Sequence, residues 1–333
     1  MIRPRHPLGI TLVVLSLCLH LGTVFLYLRQ PDAFAAFTVM PVWFWSLLGL
    51  GFSVLAYFVF RTPLSLMMSG IWFMSLLLLS DEATVLGRFD QAPLTKGVPA
   101  PHAGRSPYRI ATINWAGANL PLTPSLKEWQ PDIIFIQEMP HPYLVKQLAE
   151  DLFGQTGDYR YDENHMCGLV VRGTITKALL NPVNRSQYLT VRTHRGDYIE
   201  LVNLHLQPAS TNLSLWDPAC WKTHYEKRKA RRREILFALA FLEEYTPYPR
   251  GPAIIAGDFN TQATDSAIDV LKPAFTDTFR SVGTGWGNTY HRRLPFLRSD
   301  QIHASQHFLP LRSRVVTIPE SDHRLLISDL LLE

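Results

Sequence analysis

The sequence predicts a mixed α/β sandwich carried behind a set of apolar helices, and three observations predict it. Charge is segregated: the 333-residue chain averages 47% hydrophobic and 18% charged residues, yet nearly all of the charge lies after position 81. The first eighty residues are dominated by three uncharged runs, 8–28, 41–60 and 63–80. Beyond position 107, short apolar runs of strand character alternate with helix-like stretches and repeatedly end on polar residues.

At about 1.5 Å of rise per residue, the run 8–28 is about as long as the hydrocarbon core of a bilayer. It reads as a membrane helix. The runs 41–60 and 63–80 are separated only by Arg61 and Thr62, so three spans are expected. A cleaved signal peptide fits poorly, because its apolar core is only about 7–15 residues and ends at a small-residue site. His20, alone within the first run, reads as a contact to a neighbouring helix or to the interface rather than a proton path. Trp43, Trp45 and Trp72 fit interfacial anchoring or packing. Arg3 and Arg5 favour a cytoplasmic N-terminus, and Arg61 then falls inside as well, at a tight hairpin. With three spans the C-terminal domain then lies outside the cytoplasm; two spans would leave it inside. After Asp81 the chain carries Asp90, Pro93, Gly97, Pro99, Pro101, Gly104 and Pro107, which break regular structure. The expected organisation is a membrane domain at 1–84, a linker at 85–107 and a separate domain at 108–333, long enough to bury its own core.

Within that domain YRIATI at 108–113 alternates like a strand and ends on Asn114. IIFI at 133–136 is a continuous apolar run of the kind a buried strand shows, and it ends on Gln137 and Glu138. YIELVNL at 198–204 runs into His205, and AIIA at 253–256 runs into Gly257, Asp258, Phe259 and Asn260. A closing strand, LLISDLLL at 325–332, is preceded by Ser321, Asp322 and His323. Helices are expected over 141–152 and 218–245, the second with Ile235, Leu236, Leu239 and Leu242 at helical spacing. One carboxylate at a strand end means little. Five polar clusters at strand ends bring Glu138, Asp258, Asp322, Asn114 and Asn260 as hard oxygen ligands or donors. His205 and His323 add groups that carry protons near neutrality. Phosphoryl transfer needs this set: a divalent cation against the phosphate charge, a group to orient water, and donors for the transition state.

Other features are blander. The net charge of +4 is modest. Lys222, Lys227, Arg228, Lys229, Arg231, Arg232 and Arg233 crowd one helix, but Glu226 and Glu234 interrupt them. That pattern reads as a solvated outer face before it reads as a site for nucleic acid, anionic headgroups or polyphosphates. Cys18, Cys167 and Cys220 show no zinc-site spacing, and a Cys167–Cys220 disulfide would require an oxidising compartment.

The marks ATIN ending at Asn114, PDIIFIQE ending at Glu138, VNLHL around His205, GDFN at 257–260 and SDH at 321–323 stand in one order. In that order the domain resembles the endonuclease/exonuclease/phosphatase superfamily, which includes deoxyribonuclease-I-like nucleases, apurinic endonucleases, neutral sphingomyelinases and inositol polyphosphate 5-phosphatases. The likeness covers essentially all of 108–333. It implies a four-layered α/β/β/α sandwich with the site at one edge. It implies Glu138 as the principal Mg2+ ligand, with Mn2+ as a substitute, Asn114 beside it and Asp322 near the metal. Asp258 would orient or deprotonate the attacking water, and Asn260 would help place it. His323 would be the base or a phosphate contact, and His205 would donate to the phosphate oxygens. The family often has an Arg-Ile-Asp-Tyr-Ile-like strand where this chain has Ser299, Asp300, Gln301, Ile302 and His303; Asp300 is the expected partner of the His323 imidazole, much as a triad aspartate is. Asp277 and WGNTY at 286–290 occupy a stretch that often lines the site, with no assignable role.

The implied function is a membrane-anchored, metal-dependent phosphoesterase acting by in-line displacement on a nucleic acid, nucleotide or phospholipid headgroup. Its partners are then the lipid bilayer and that phosphate ester. The alternative is a silent module of the same fold that only binds a phosphorylated ligand. The loops 206–217 and 281–298 are where specificity would lie.

Overall fold

The fold is seen in a computed structural model, which describes residues 7–61, 63–117, 120–180, 186–245 and 251–333. The chain divides into two compact units, Met1–Gly87 with Ser210–Glu226, and Arg88–Ala209 with Lys227–Glu333.

The first unit holds helices α1 (Pro7–Arg29), α2 (Ala35–Thr38), α3 (Val42–Phe60), α4 (Pro63–Leu79) and α5 (Asp81–Leu86). Among the described residues, two helical stretches are long and apolar enough to cross a membrane, Leu8–Arg29 and Val42–Val59. The third expected span is the shorter apolar helix Pro63–Leu79. Apolar surfaces alone give little specificity to the packing of such helices, and small polar groups mark the contacts between them. His20 Nε2 lies 2.6 Å from Ser75 Oγ, Trp72 Nε1 donates to Ser16 Oγ at 3.0 Å, and Ser16 Oγ lies 3.3 Å from Ser53 Oγ. His20 thus contacts a neighbouring helix. Arg3 and Arg5, on which the expected orientation partly rests, lie outside the described residues. A short helix, Asp81–Leu86, precedes the proline- and glycine-rich stretch. Ser80 Oγ accepts from the Ala83 amide at 3.3 Å, with Asp81 and Glu82 in the first turn, and this N-cap starts α5. The stretch after it is not loose either: Leu94 is fully buried and the Gly97 amide donates to Glu128 O.

The second unit contains strands β1 (Tyr108–Asn114), β2 (Ile133–Gln137), β3 (Gly157–Asp162), β4 (Cys167–Leu180), β5 (Ser186–Thr193), β6 (Tyr198–His205), β7 (Ala253–Asp258), β8 (Phe275–Asp277), β9 (Gly283–Thr284), β10 (Asp300–Ser305), β11 (Phe308–Val316) and β12 (Leu325–Leu332). Helices α6 (Thr123–Trp129), α7 (Pro142–Phe153) and α9 (Thr278–Val282) lie between them, and α8 runs Pro218–Tyr245. The strands form one path, β8-β10-β7-β6-β5-β4-β2-β1-β12-β11-β9, with β3 on β4. The path folds over at β4. Its first half pairs with β2 and β3, and its second half, from Gly173, pairs with β5. Gly173 has φ +153°, and a Cβ there would lie 2.4 Å from Arg192 O, so only glycine fits the crossing.

Side-chain alternation builds the layers. Ile134 and Ile136 of β2, with Ala111 and Ile113 of β1, face outward onto Val145 and Leu148 of α7. Val202 and Leu204 of β6, with Ile255 of β7, face outward onto Ile235 and Ala238 of α8. The alternate positions meet between the sheets, where Gln137 Nε2 donates to Asn203 Oδ1 at 2.7 Å. This is the α/β/β/α arrangement. Leu236, grouped with Ile235, Leu239 and Leu242 by its spacing, is exposed because it lies one position off the Ile235 and Leu239 stripe.

The basic helix is not a solvated face throughout. Arg228 is 0% and Arg231 3% exposed. Arg228 pairs with buried Asp265 at 2.9 Å, and Arg232 donates to Ser266 Oγ at 3.0 Å. A long arginine stem lets the guanidinium reach loop acceptors beneath the helix, so part of the charge run is structural. Cys167 Sγ donates to His165 O and Cys220 Sγ to Asn212 O, so the two thiols are not bonded to each other.

At the β8–β10 edge, His303 is buried and its Nε2 lies 2.9 Å from Gln301 Oε1. Burial pushes its imidazole down to about 4, against the pull of Asp277. Burial also works against the Asp277 carboxylate, but Arg298, bonded to both of its oxygens, outweighs it and holds that group at about 2. Both groups are depressed below their unfolded values, so the unfolded chain binds more protons between the two and stability falls with pH. For His303 the loss starts near 6.5 and runs down to about 4. The His303 share of this loss is about 2 kcal/mol between pH 7 and pH 5, so over that interval the melting temperature of the full chain should fall by roughly 4–8 °C more in the wild type than in His303→Gln, the raised His323 acting alike in both. Equal drops would contradict this origin.

Candidate active site

The polar strand ends meet because they occupy the inward-facing positions of the two sheets. Asn114 shares the face of Thr112, His205 that of Asn203, and Asp258 that of Ala256. In β6 and β7, which run parallel, His205 stands opposite Asp258. In β7 and β10, which run antiparallel, Asp258 stands opposite Asp300. Gly257 allows this. At φ +143° a Cβ would sit 1.9 Å from Leu204 O, so any other residue would force β6 and β7 apart beside the site. Glu138 follows Gln137, and alternation alone would turn its side chain toward the outer layer. Its backbone instead adopts φ +53°, in the left-handed region, as does Asn260 at +50°. Non-glycine residues held there cost of order 1–3 kcal/mol each, and they concentrate where a side chain must be re-aimed.

Asn114 links the two sheets. Its Nδ2 donates to Glu138 Oε1 and to Asp258 Oδ2, both at 2.9 Å, while its Oδ1 accepts from the Ala116 amide at 2.8 Å. His205 Nε2 lies 3.4 Å from Glu138 Oε1, an electrostatic contact rather than a hydrogen bond. His205, with help from Asn114 and against the effect of burial, holds the Glu138 carboxyl at about 2. Asp258 is pushed the other way, first by burial and then by Asp300. His323 Nδ1 lies 2.7 Å from Asp300 Oδ2. Burial would depress this imidazole, but the charge and hydrogen bond of Asp300, with Asp258 and Asp322 behind it, overcome burial and push it up to about 10. Near neutrality His323 is therefore an imidazolium, a donor to anionic oxygens.

Among the described residues, Glu138, His205 and Asp258 bring one ligand atom each within 4.8 Å of one another, and so do Asp258, Asp300 and His323. The second set is already spent on the Asp300–His323 bond. The first offers the Glu138 carboxylate oxygens to a hard divalent cation, with Asp258 and His205 close enough to meet water or an anion beside it. Buried atoms without a hydrogen-bond partner also gather here: His205 Nε2, Asp300 Oδ1 and Asp322 Oδ1. Such groups are costly to leave unmet unless a ligand completes them. No hydrogen bond joins the Asp322 side chain to Glu138 or Asn114 among the described residues. Asn260 is turned away from the carboxylates, its Nδ2 donating to Leu206 O at 2.9 Å and its backbone amide to Asp258 Oδ1 at 2.8 Å. It fixes the Asp258 carboxylate and the start of the loop after β6.

Four residues given no role in the sequence analysis complete the setting. Ser321 Oγ donates to Asn114 O at 2.5 Å and accepts from the His323 amide at 2.9 Å, tying the end of β1 to the histidine loop. Ser299 Oγ donates to Asp300 Oδ2 at 3.2 Å, and Thr289 Oγ1 accepts from the Asp300 amide at 3.1 Å. The Tyr290 ring lies 5.0 Å from the His323 ring. Ser321 is the first residue of SDH, and Thr289 and Tyr290 lie in WGNTY, so their stretches were marked though their roles were not; nothing in the residues pointed to Ser299 as a support of Asp300.

A model of the endonuclease/exonuclease/phosphatase family matches residues 111–323. Among solved structures the fold is similar to a protein of that family from Bacteroides thetaiotaomicron, at 17% identity, 68% of this chain, 98% of that chain and TM-score 0.55. It is also similar to a mannosyl-6-phosphatase from Bacteroides thetaiotaomicron VPI-5482, at 17% identity, 68% and 100% coverage and TM-score 0.54. A third is TDP2 from D. rerio complexed with a single-strand DNA product, at 16% identity, 68% and 100% coverage and TM-score 0.51. No curated protein matches the chain. At these identities the structural likeness is one of fold.

If the carboxylate cluster holds a divalent cation, Mg2+ or Mn2+ will raise the melting temperature of the full chain in detergent, by the equivalent of about 2.7 kcal/mol at a hundred times the dissociation constant. Glu138→Gln should abolish most of that shift. A shift of the same size in both proteins would place the ion elsewhere.

Proposed function

The chain belongs to the endonuclease/exonuclease/phosphatase family, and on that footing we propose that it is a membrane-anchored phosphoesterase, dependent on a divalent metal, that hydrolyses a phosphodiester or phosphomonoester by in-line attack of water. The observation that carries this reading is the convergence of Asn114, Glu138, His205 and Asp258 beside an Asp300–His323 pair. Glu138, ionised and oriented by Asn114, is the principal ligand for Mg2+, with Asn114 and Asp322 nearby. A bound cation would supply charge neutralisation and alignment of the phosphate. Asp258, held by Asn114 and the Asn260 amide, orients the attacking water and takes its proton; its raised affinity for protons suits it to that role. His205 donates to a phosphate oxygen. His323, fixed by Asp300 and carrying its proton, stabilises the charge that grows in the transition state. A module that only bound phosphate would have no use for a buried aspartate orienting a buried imidazole.

In this reading residues 1–84 anchor the chain, 85–107 connect, and 108–333 catalyse. The helices Leu8–Arg29 and Val42–Val59 support the anchor, and Arg61, between α3 and α4, supports an N-terminus and a helix turn on the cytoplasmic side. With α4 returning, the catalytic unit stands outside the cytoplasm. The substrate is a nucleic acid, nucleotide or phospholipid headgroup.

The full chain in detergent should hydrolyse bis(p-nitrophenyl) phosphate or p-nitrophenyl phosphate with Mg2+ and stop on chelation. Glu138→Ala and His323→Ala should each lower kcat/KM by roughly 10²–10⁴-fold with unchanged circular dichroism. A folded wild type inactive on both esters with Mg2+ and with Mn2+ would sink the proposal.

A further inference from the structure

The segment Ser210–Glu226 follows β6, which ends at His205, yet it clusters with the apolar helices rather than with the strands. Its conformation is built from its own bonds. The Asn212 amide donates to Ser210 Oγ at 3.2 Å and the Ser214 amide to Asn212 Oδ1 at 3.0 Å. Asn212 O accepts from Cys220 Sγ at 3.2 Å and lies 2.8 Å from His224 Nε2. Trp221 Nε1 donates to Leu215 O at 2.8 Å. A loop so tied holds its side chains in set directions, and it leaves two large apolar ones in the open: Trp216 is 86% and Leu213 47% exposed.

What surrounds the segment says what covers them. Aromatic rings gather at one end of the apolar helices, where α1 ends and α3 begins. Phe37 and Trp45 stack at 4.1 Å, and Tyr27 lies edge-on to Phe37 at 6.3 Å. Phe34, just beyond α1, meets Trp221 edge-to-face at 5.8 Å. Such rings mark the border of a bilayer, with apolar bodies in the hydrocarbon and polar tips in the headgroups. Trp221 joins that belt from another part of the chain.

We infer that residues 210–221 form a second contact with the bilayer, in which Leu213 and Trp216 insert among the phospholipid headgroups at the level of the aromatic belt. This rests on the membrane-anchored reading. The segment leaves the catalytic unit after Ala209 and re-enters it at Lys227, so lipid contact is made on the connection between the strand that carries His205 and the helix that carries Arg228.

The test uses the full chain reconstituted in phosphatidylcholine vesicles brominated close to the headgroup or at the chain end. Shallow bromine should quench more tryptophan emission in the wild type than in Trp216→Phe, while chain-end bromine should quench the two alike. Because Trp216 is exposed, the variant should keep the wild-type circular dichroism and melting temperature. Extraction with alkaline carbonate separates the two claims. Release of the wild-type chain overturns the membrane reading and the inference together. Retention with equal shallow quenching in both proteins overturns the lipid contact alone, and leaves Leu213 and Trp216 as a surface for another protein.

Discussion

Two carboxylates, Asp258 and Asp300, stand opposite each other on adjacent strands at the buried edge of one sheet, and Glu138 reaches toward them from the other. Like charges directly opposite in a sheet are destabilising, and burial makes them more so. The local structure is organised to hold that arrangement. Asn114 spends both amide hydrogens on Glu138 and Asp258, and the second of these bonds crosses from one sheet to the other. His323 answers Asp300, and His205 lies against Glu138. Even so, among the described residues the set stays acidic: Glu138, Asp258, Asp300 and Asp322 are met by the His323 imidazolium, with His205 against Glu138 and Arg231 acting on Asp258 from farther off. A protein that keeps such an imbalance at a sheet edge gains from a cation, which links this arrangement to the proposed chemistry.

Much of this could be read along the chain because the polar residues come at the ends of apolar runs. Where a strand is flanked by its own polar punctuation, as at Asn114, His205 and Asp258, period-two alternation places the side chain on a definite face. The ends of β1, β2, β6, β7 and β12 were legible for that reason. Glu138 was legible as a residue but not as a geometry, since only the backbone shows the left-handed turn that redirects it. β4 was not anticipated. A strand that changes sheet midway is buried differently in its two halves, and the sign of the change is a glycine at 173 whose role depends on a neighbour twenty residues on.

Charge patterns misled where tertiary contacts decide. Arg228 and Arg231 look like members of a solvated run, yet both are buried, because Asp265 and the loop carbonyl of Gln207 lie under the helix. The same holds for Ser80, whose capping hydroxyl starts a helix in a stretch that later becomes rich in proline and glycine. Ser299, Thr289 and Ser321 belong to this class as well. Each is a small hydroxyl whose value comes from what the fold brings beside it, and composition carries no trace of that.

Whether a divalent cation binds at Glu138 is decided by diffraction from crystals of the full chain soaked with Mn2+ and measured at the manganese absorption edge. The expected result is one strong anomalous peak within about 2.5 Å of a Glu138 carboxylate oxygen, absent in Glu138→Gln crystals grown and soaked alike. A well-diffracting wild-type crystal with no peak at Glu138, or with its peak on other side chains, would contradict binding there.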